Sequence, residues 1–147
     1  MRISFLLVLL ISAVNLACSK KERGTLKQAS SDPVMAESLT RGALVYKQYC
    51  IACHMADGGG APPMNPPLSQ TSFVLGDKKV LIPIVLNGMS LQEIDGEKYH
   101  NVMPALDYLT DEQIGDVLTY VRNSFGNKES RVTPNEVNSL RRNNPIK

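Results

Sequence analysis

Cys50-Ile51-Ala52-Cys53-His54 sets the reading of this chain. Two thiols separated by two residues, with a histidine directly after the second, form the attachment sequence of a c-type haem. The spacing has a chemical reason: the porphyrin carries two vinyl groups, and each thiol must reach one of them to form a thioether. His54 then falls beneath the iron, where it can serve as proximal ligand while the thioethers hold the ring even against a weak sixth ligand. Two other uses of a Cys-x-x-Cys pair fit less well. A thioredoxin-like redox site belongs with strand alternation that this sequence lacks, and a half zinc site needs a second ligand pair at suitable spacing.

Working outward, the length of 147 residues suits one domain of modest size with extensions. Sixteen Lys and Arg stand against fourteen Asp and Glu, without a block of like charge, so nucleic acid is not an expected partner. The chain has no Trp and few aromatic residues, and a haem would supply the apolar bulk they do not. The N-terminus reads as an export signal over residues 1–17: Arg2 supplies the positive start, Ile3 to Ile11 is apolar except for Ser4, and small residues follow. That apolar run is shorter than the ~20 residues a membrane span requires. Ala17-Cys18 resembles a bacterial lipoprotein processing site, which makes Cys18 the expected lipid-bearing first residue of the mature chain. The pattern departs from the usual one at Asn15, where a bulky aliphatic residue is common; ordinary cleavage is the alternative. Residues 18–36 read as anchor and polar linker, with Gly24, Ser30, Ser31 and Pro33 and no apolar periodicity.

A domain is expected over residues 37–126. Leu39, Gly42, Ala43, Tyr46, Cys50 and Cys53 fall at helical spacing, with Ser38 placed to cap. Gly42 inside that helix is unfavourable by ~1 kcal/mol relative to alanine, which close approach of another helix would explain. Thr110 and Gln113 make a capping box, and Asp111 and Glu112 suit the positive end of the helix dipole. Ile114, Val117, Leu118, Val121 and Phe125 then give one apolar face, with Gly126 placed to end the helix. Gly76 to Leu86 is expected to be helical after an Asp77 cap, kinked or interrupted at Pro83. Asn87-Gly88 marks a turn, and Gln92 to His100 reads as a polar surface excursion. Residues 127–147 read as a tail in which Thr133-Pro134 can start a short helix, with Arg141-Arg142 as a solvated charged pair.

Gly42, Tyr46 and Cys50 at steps of four, with Val117 and Tyr120 in the last helix, resemble the class I c-type cytochromes. The resemblance covers about Glu37 to Gly126 and implies an all-α cytochrome c fold, three to five helices around one covalently bound haem c, the first and last helices touching at the glycine. It also implies a ligand set. Pro66 in Pro66-Pro67-Leu68 is the expected carbonyl acceptor for the second nitrogen of His54, which would fix the ring and raise its basicity. Met103, followed by Pro104, is the expected sixth ligand, its soft thioether raising the reduction potential. Met55 adjoins His54 and cannot reach the opposite side; Met64 and Met89 read as gap-fillers; His100 is the competitor.

The implied function is single-electron carriage between redox proteins in the periplasm or at a membrane, with no small-molecule substrate and no catalytic residues. A dedicated cytochrome subunit of a dehydrogenase, reductase or oxidase is the alternative, suggested by Leu75-Gly76-Asp77-Lys78, Val121 to Gly126 and Thr133-Pro134. A haem sensor or peroxidase is a further class, which would need a labile sixth ligand.

Overall fold

The structure is a computed structural model that describes residues 32–90 and 93–143. The expected signal sequence and Cys18 lie outside the described residues. Among the described residues, six helical segments and one short hairpin follow in the order α1 (Pro33–Tyr49), α2 (Ile51–His54), α3 (Ser72–Leu75), α4 (Lys78–Asn87), β1 (Glu93–Ile94), β2 (Glu97–Lys98), α5 (Asp111–Val121) and α6 (Pro134–Asn143). Two of the six helices are single turns, so the all-α architecture rests on α1, α4, α5 and α6.

The first helix starts earlier than its apolar spacing suggests. Asp32 is the cap, its carboxylate accepting from the Val34 amide at 3.0 Å, and Pro33 occupies the first turn, where its missing N–H is no loss. The linker therefore ends before Glu37, and Ser38 is not a cap. It is fully buried one turn inside the helix, and its hydroxyl donates to Asp116 on α5 at 2.6 Å. Arg41 donates to the same carboxylate through Nε at 2.5 Å and Nη2 at 3.1 Å, so a carboxylate buried at the helix crossing has partners for both oxygens. Gly42 lies at that crossing. A β-carbon there would fall 2.1 Å from the Asp116 carbonyl oxygen and 2.7 Å from the Tyr120 β-carbon.

The Thr110–Gln113 capping box forms as read, with both reciprocal bonds present. The helix it opens ends at Val121, however, short of Gly126. Arg122 is the C-cap, and its side chain turns inward, donating to the carbonyls of Val74, Gly76 and Ser130, which ties the α3–α4 junction to the chain after α5. Asn127, also buried, donates to the carbonyls of Leu68 and Val121. Asp77 caps α4 as expected. Pro83 does not interrupt that helix: Leu81, Ile82, Val85 and Leu86 around it are all buried, and their packing outweighs the ~3 kcal/mol that an interior proline costs.

Two polar stretches are more ordered than their composition suggests. Within 92–100, Asp95-Gly96, both at positive φ, turn a hairpin that pairs Glu93 with Lys98 and Ile94 with Glu97, and Ile94 and Tyr99 go into the core. Residues 128–143 are not a solvated extension. Val132 and Val137 are fully buried, and the Val132 amide donates to Thr119 Oγ1 of α5. Thr133 and Glu136 form a second reciprocal box that opens α6 at Pro134. Arg141 pairs with Asp111 at 2.7 Å instead of facing water.

This pair and that of Lys78 with Glu136 at 3.0 Å give α6 a signed pH dependence. Burial pushes the Asp111 carboxyl up, but hydrogen bonds from Asn138 and Arg141 outweigh it and leave the group below its usual range. Glu136 is likewise depressed, burial being outweighed by the Thr133 amide and Lys78. A depressed carboxyl stabilises the fold above its unfolded value and loses that contribution as pH falls through the folded one, so α6 docking should weaken below about pH 4. Both side chains keep partial exposure, and solvent screening limits the effect. In Asp111→Asn the decline of the thermal midpoint between about pH 5 and 3 should be shallower than in the parent protein; parallel declines would contradict this assignment.

Candidate haem-binding cleft

Single-turn α2 follows directly on α1, because Cys50 caps the C-terminus of one and opens the other. Cys50, Cys53 and His54 are thereby presented to one cleft of about 1220 Å³, its open mouth included. Its lining is almost wholly apolar: Leu68 from the loop after α2, Val74 from α3, Leu81 and Val85 from α4, Val117 and Val121 from α5. Cys50 is half-buried and Cys53 exposed, and neither is in a disulfide. Burial, with a smaller push from Cys53, raises the Cys50 thiol to about 11, so it is protonated at neutral pH until it reacts.

His54 Nδ1 lies 3.1 Å from the Pro66 carbonyl oxygen. A carbonyl can only accept, so Nδ1 carries the proton and Nε2 keeps a free lone pair. Burial lowers the pKa of the imidazole, the Pro66 bond opposing it less strongly, which favours the neutral form a metal needs. The geometry depends on a glycine in the Gly- and Pro-rich loop between α2 and α3. Gly60 sits at φ +66°, and a β-carbon there would meet the Pro66 oxygen at 2.5 Å. Its amide also donates to the His54 carbonyl at 3.1 Å. Gly58, at φ +69°, is pressed against the Phe125 ring and accepts from the Leu68 amide at 2.7 Å. This loop is thus folded back on both the His54 turn and Phe125 beyond α5.

Met103 lines the cleft on a segment held by a two-way bridge to Met89, with N···O distances of 2.8 and 3.0 Å. Gly88, at φ +74°, permits this bridge, since a side chain there would run into the Met103 carbonyl. The rivals separate by position. Met55 and Met64 are exposed. His100 is exposed as well and is absent from the cleft wall, its amide bonded to the Pro63 carbonyl. Met89, which reads from sequence as a gap-filler, does line the cleft, whereas His100 does not. Tyr99 and Ile94 line it too, from the hairpin that the sequence left as a surface excursion.

The donor set therefore suits a haem: two thiols at the attachment spacing, an imidazole with its outer nitrogen committed to a carbonyl, a thioether, and an apolar wall. Comparison with known proteins agrees. Residues 39–125 match the family described as Cytochrome c. The chain belongs to the cytochrome c family.

Among its relatives are the gluconate 2-dehydrogenase cytochrome c subunit of Pantoea cypripedii, 36% identical over 109 residues, and cytochrome c-552 of Thermus thermophilus, 34% identical over 110. The alcohol dehydrogenase (quinone) cytochrome c subunit of Gluconacetobacter polyoxogenes is 34% identical over 103 residues. The matches cover 71%, 68% and 68% of this cytochrome; on the other side they cover 25% of the Pantoea subunit, 83% of the Thermus protein and 22% of the Gluconacetobacter subunit. Membership carries the cofactor with it: the cytochrome binds one haem c covalently and works by electron transfer.

Proposed function

We propose that this cytochrome is a monohaem carrier in which Cys50 and Cys53 form the thioethers and His54 and Met103 are the axial ligands. Bound there, the haem supplies a one-electron couple between ferrous and ferric iron. The chain's own residues do the rest: Pro66 orients His54, the Met89 bridge holds Met103 at the wall, and the apolar lining excludes water from the iron's surroundings. The observation that carries this reading is the His54–Pro66 hydrogen bond on a cleft that Met103 also lines. Its test is Cys50→Ala with Cys53→Ala: the double variant, matured in a periplasm, should yield a denatured chain with no haem attached, and each single variant a weakened attachment. Haem retained on the denatured double variant would overturn the assignment.

Export to the periplasm and anchoring through lipidated Cys18 belong to the same proposal, supported by the signal-like residues 1–17 and the Ala17-Cys18 pair. Among the described residues no helix is long and apolar enough to cross a membrane; the tether in this proposal is the lipid on Cys18. Intact mass of the mature protein tests this, since an unmodified N-terminus other than Cys18 contradicts the anchor. As partners we propose redox proteins. The similarity to dehydrogenase cytochrome subunits favours a dehydrogenase among these partners, and a stable complex on co-purification would mark a dedicated subunit rather than a freely exchanging carrier.

A further inference from the structure

The family match ends at residue 125, yet α6 beyond it is tied to the segment that carries Met103. Between Met103 and Thr110 the chain forms neither helix nor strand, so its path depends on individual bonds. On the upstream side the Met89 bridge holds Met103, and Leu106 donates its amide to the Val85 carbonyl at 2.9 Å. Downstream, one side chain takes over. Arg141 Nη1 donates to the Asp107 carbonyl at 2.5 Å, Nη2 to the Leu109 carbonyl at 2.7 Å and Nε to Asp111 Oδ1 at 2.7 Å. Asn138, one turn earlier on α6, donates to the other Asp111 oxygen at 2.6 Å.

We propose that Arg141 is a positioning residue that clamps the 103–110 segment and so holds Met103 against the cleft. The inference rests on the reading of Met103 as axial ligand. A planar guanidinium with donors fixed in a fork suits this work, because three acceptors spread over five residues are held in one rigid geometry. Lysine offers the charge without the fork. Two of the acceptors are main-chain carbonyls in an irregular segment, Asp107 half-buried and Leu109 buried, and Arg141 is the donor that satisfies both. The segment can peel away only if these bonds break together, so the clamp sets how often Met103 leaves its place.

The test uses the full-length holoprotein with Arg141→Ala and Arg141→Lys. Val45→Ala is the control; Val45 is a buried core residue of α1 that does not line the cleft, and the variant is compared at matched loss of thermal stability. In the ferric protein, imidazole competes for the sixth position in proportion to the population with Met103 displaced. Arg141→Ala should tighten apparent imidazole binding by about tenfold or more, Arg141→Lys by an intermediate factor, and Val45→Ala should leave it near the parent value. Amide hydrogen exchange gives a readout independent of the haem: Leu106 and Leu109 should exchange faster in Arg141→Ala than in Val45→Ala. Equal imidazole affinities and equal exchange in Arg141→Ala and the control would overturn the clamp. If Arg141→Ala does not accumulate, the same comparison between Arg141→Lys and Val45→Ala decides it. Failure of the underlying reading looks different, because the methionine-to-iron charge-transfer band would then persist in Met103→Ala whatever stands at 141.

Discussion

Gly42→Val is expected to leave no stably folded domain, and Gly42→Ala to lose at least ~3 kcal/mol, at the upper end of what overpacking usually costs. On an isolated helix the alanine substitution would stabilise by ~1 kcal/mol, so the two effects have opposite sign and the crossing decides. The atoms in the way are a carbonyl oxygen at 2.1 Å, its carbon at 2.7 Å and the Tyr120 β-carbon at 2.7 Å, none of which can rotate aside. Relief requires α1 and α5 to separate. Separation pulls Asp116 away from Ser38 and Arg41 and leaves a buried carboxylate without its donors, a second penalty added to the first. It also spreads the Tyr46, Tyr120 and Phe125 rings, now packed at centroid distances of 5.3 to 5.8 Å. Against a total stability of ~5–15 kcal/mol, those losses together approach the whole. Thermal denaturation of the holoprotein followed by far-ultraviolet circular dichroism measures it; a Gly42→Ala midpoint within a few degrees of the parent would show that the helices do not touch here.

The same crossing shows what was legible in the sequence. Gly42 inside a helical pattern signalled a close approach, and the partner helix announced itself through Thr110 and Gln113, because caps and small-residue contacts are written in neighbouring residues. Ser38 was misplaced for the complementary reason. A serine ahead of an apolar run reads as a cap from local chemistry, and nothing nearby in sequence reveals Asp116 as its partner. Arg141 and Arg142 look alike locally, yet only a fold that brings Asp107, Leu109 and Asp111 beside α6 distinguishes them.

The cleft divides along the same line. Cys50, Cys53, His54, Pro66 and Met103 were nameable because the attachment spacing and the family resemblance fix where each should lie. Gly60, Met89 and Tyr99 were not. Each acts through a tertiary contact: Gly60 by giving room to the Pro66 carbonyl, Met89 by bridging to Met103, Tyr99 by arriving on a hairpin whose two buried residues are hidden among polar ones. His100 is near Met103 in sequence, which makes it a competitor there, but its backbone is held by Pro63 while its side chain faces solvent.

Met103→Ala should lower the reduction potential by on the order of 0.1 V or more, within the ~0.8 V range that axial ligation commands. The sign follows from the ligand: a soft, neutral thioether favours ferrous iron over ferric, so removing it shifts the balance toward the oxidised state. The methionine-to-ferric-iron charge-transfer band should vanish in this variant and survive in both His100→Ala and Met89→Leu. Met89→Leu is the more demanding control, since Met89 lies on the same wall and its backbone is paired with Met103; leucine keeps that pairing and the volume but brings no sulfur. A band lost in Met89→Leu and kept in Met103→Ala would exchange the roles of the two methionines. An emptied sixth position should also let carbon monoxide bind the reduced Met103→Ala protein at neutral pH, while the parent resists it. If the parent itself binds carbon monoxide without denaturant, the sixth ligand is labile, and a sensor or peroxidase replaces the carrier as the function of this haem.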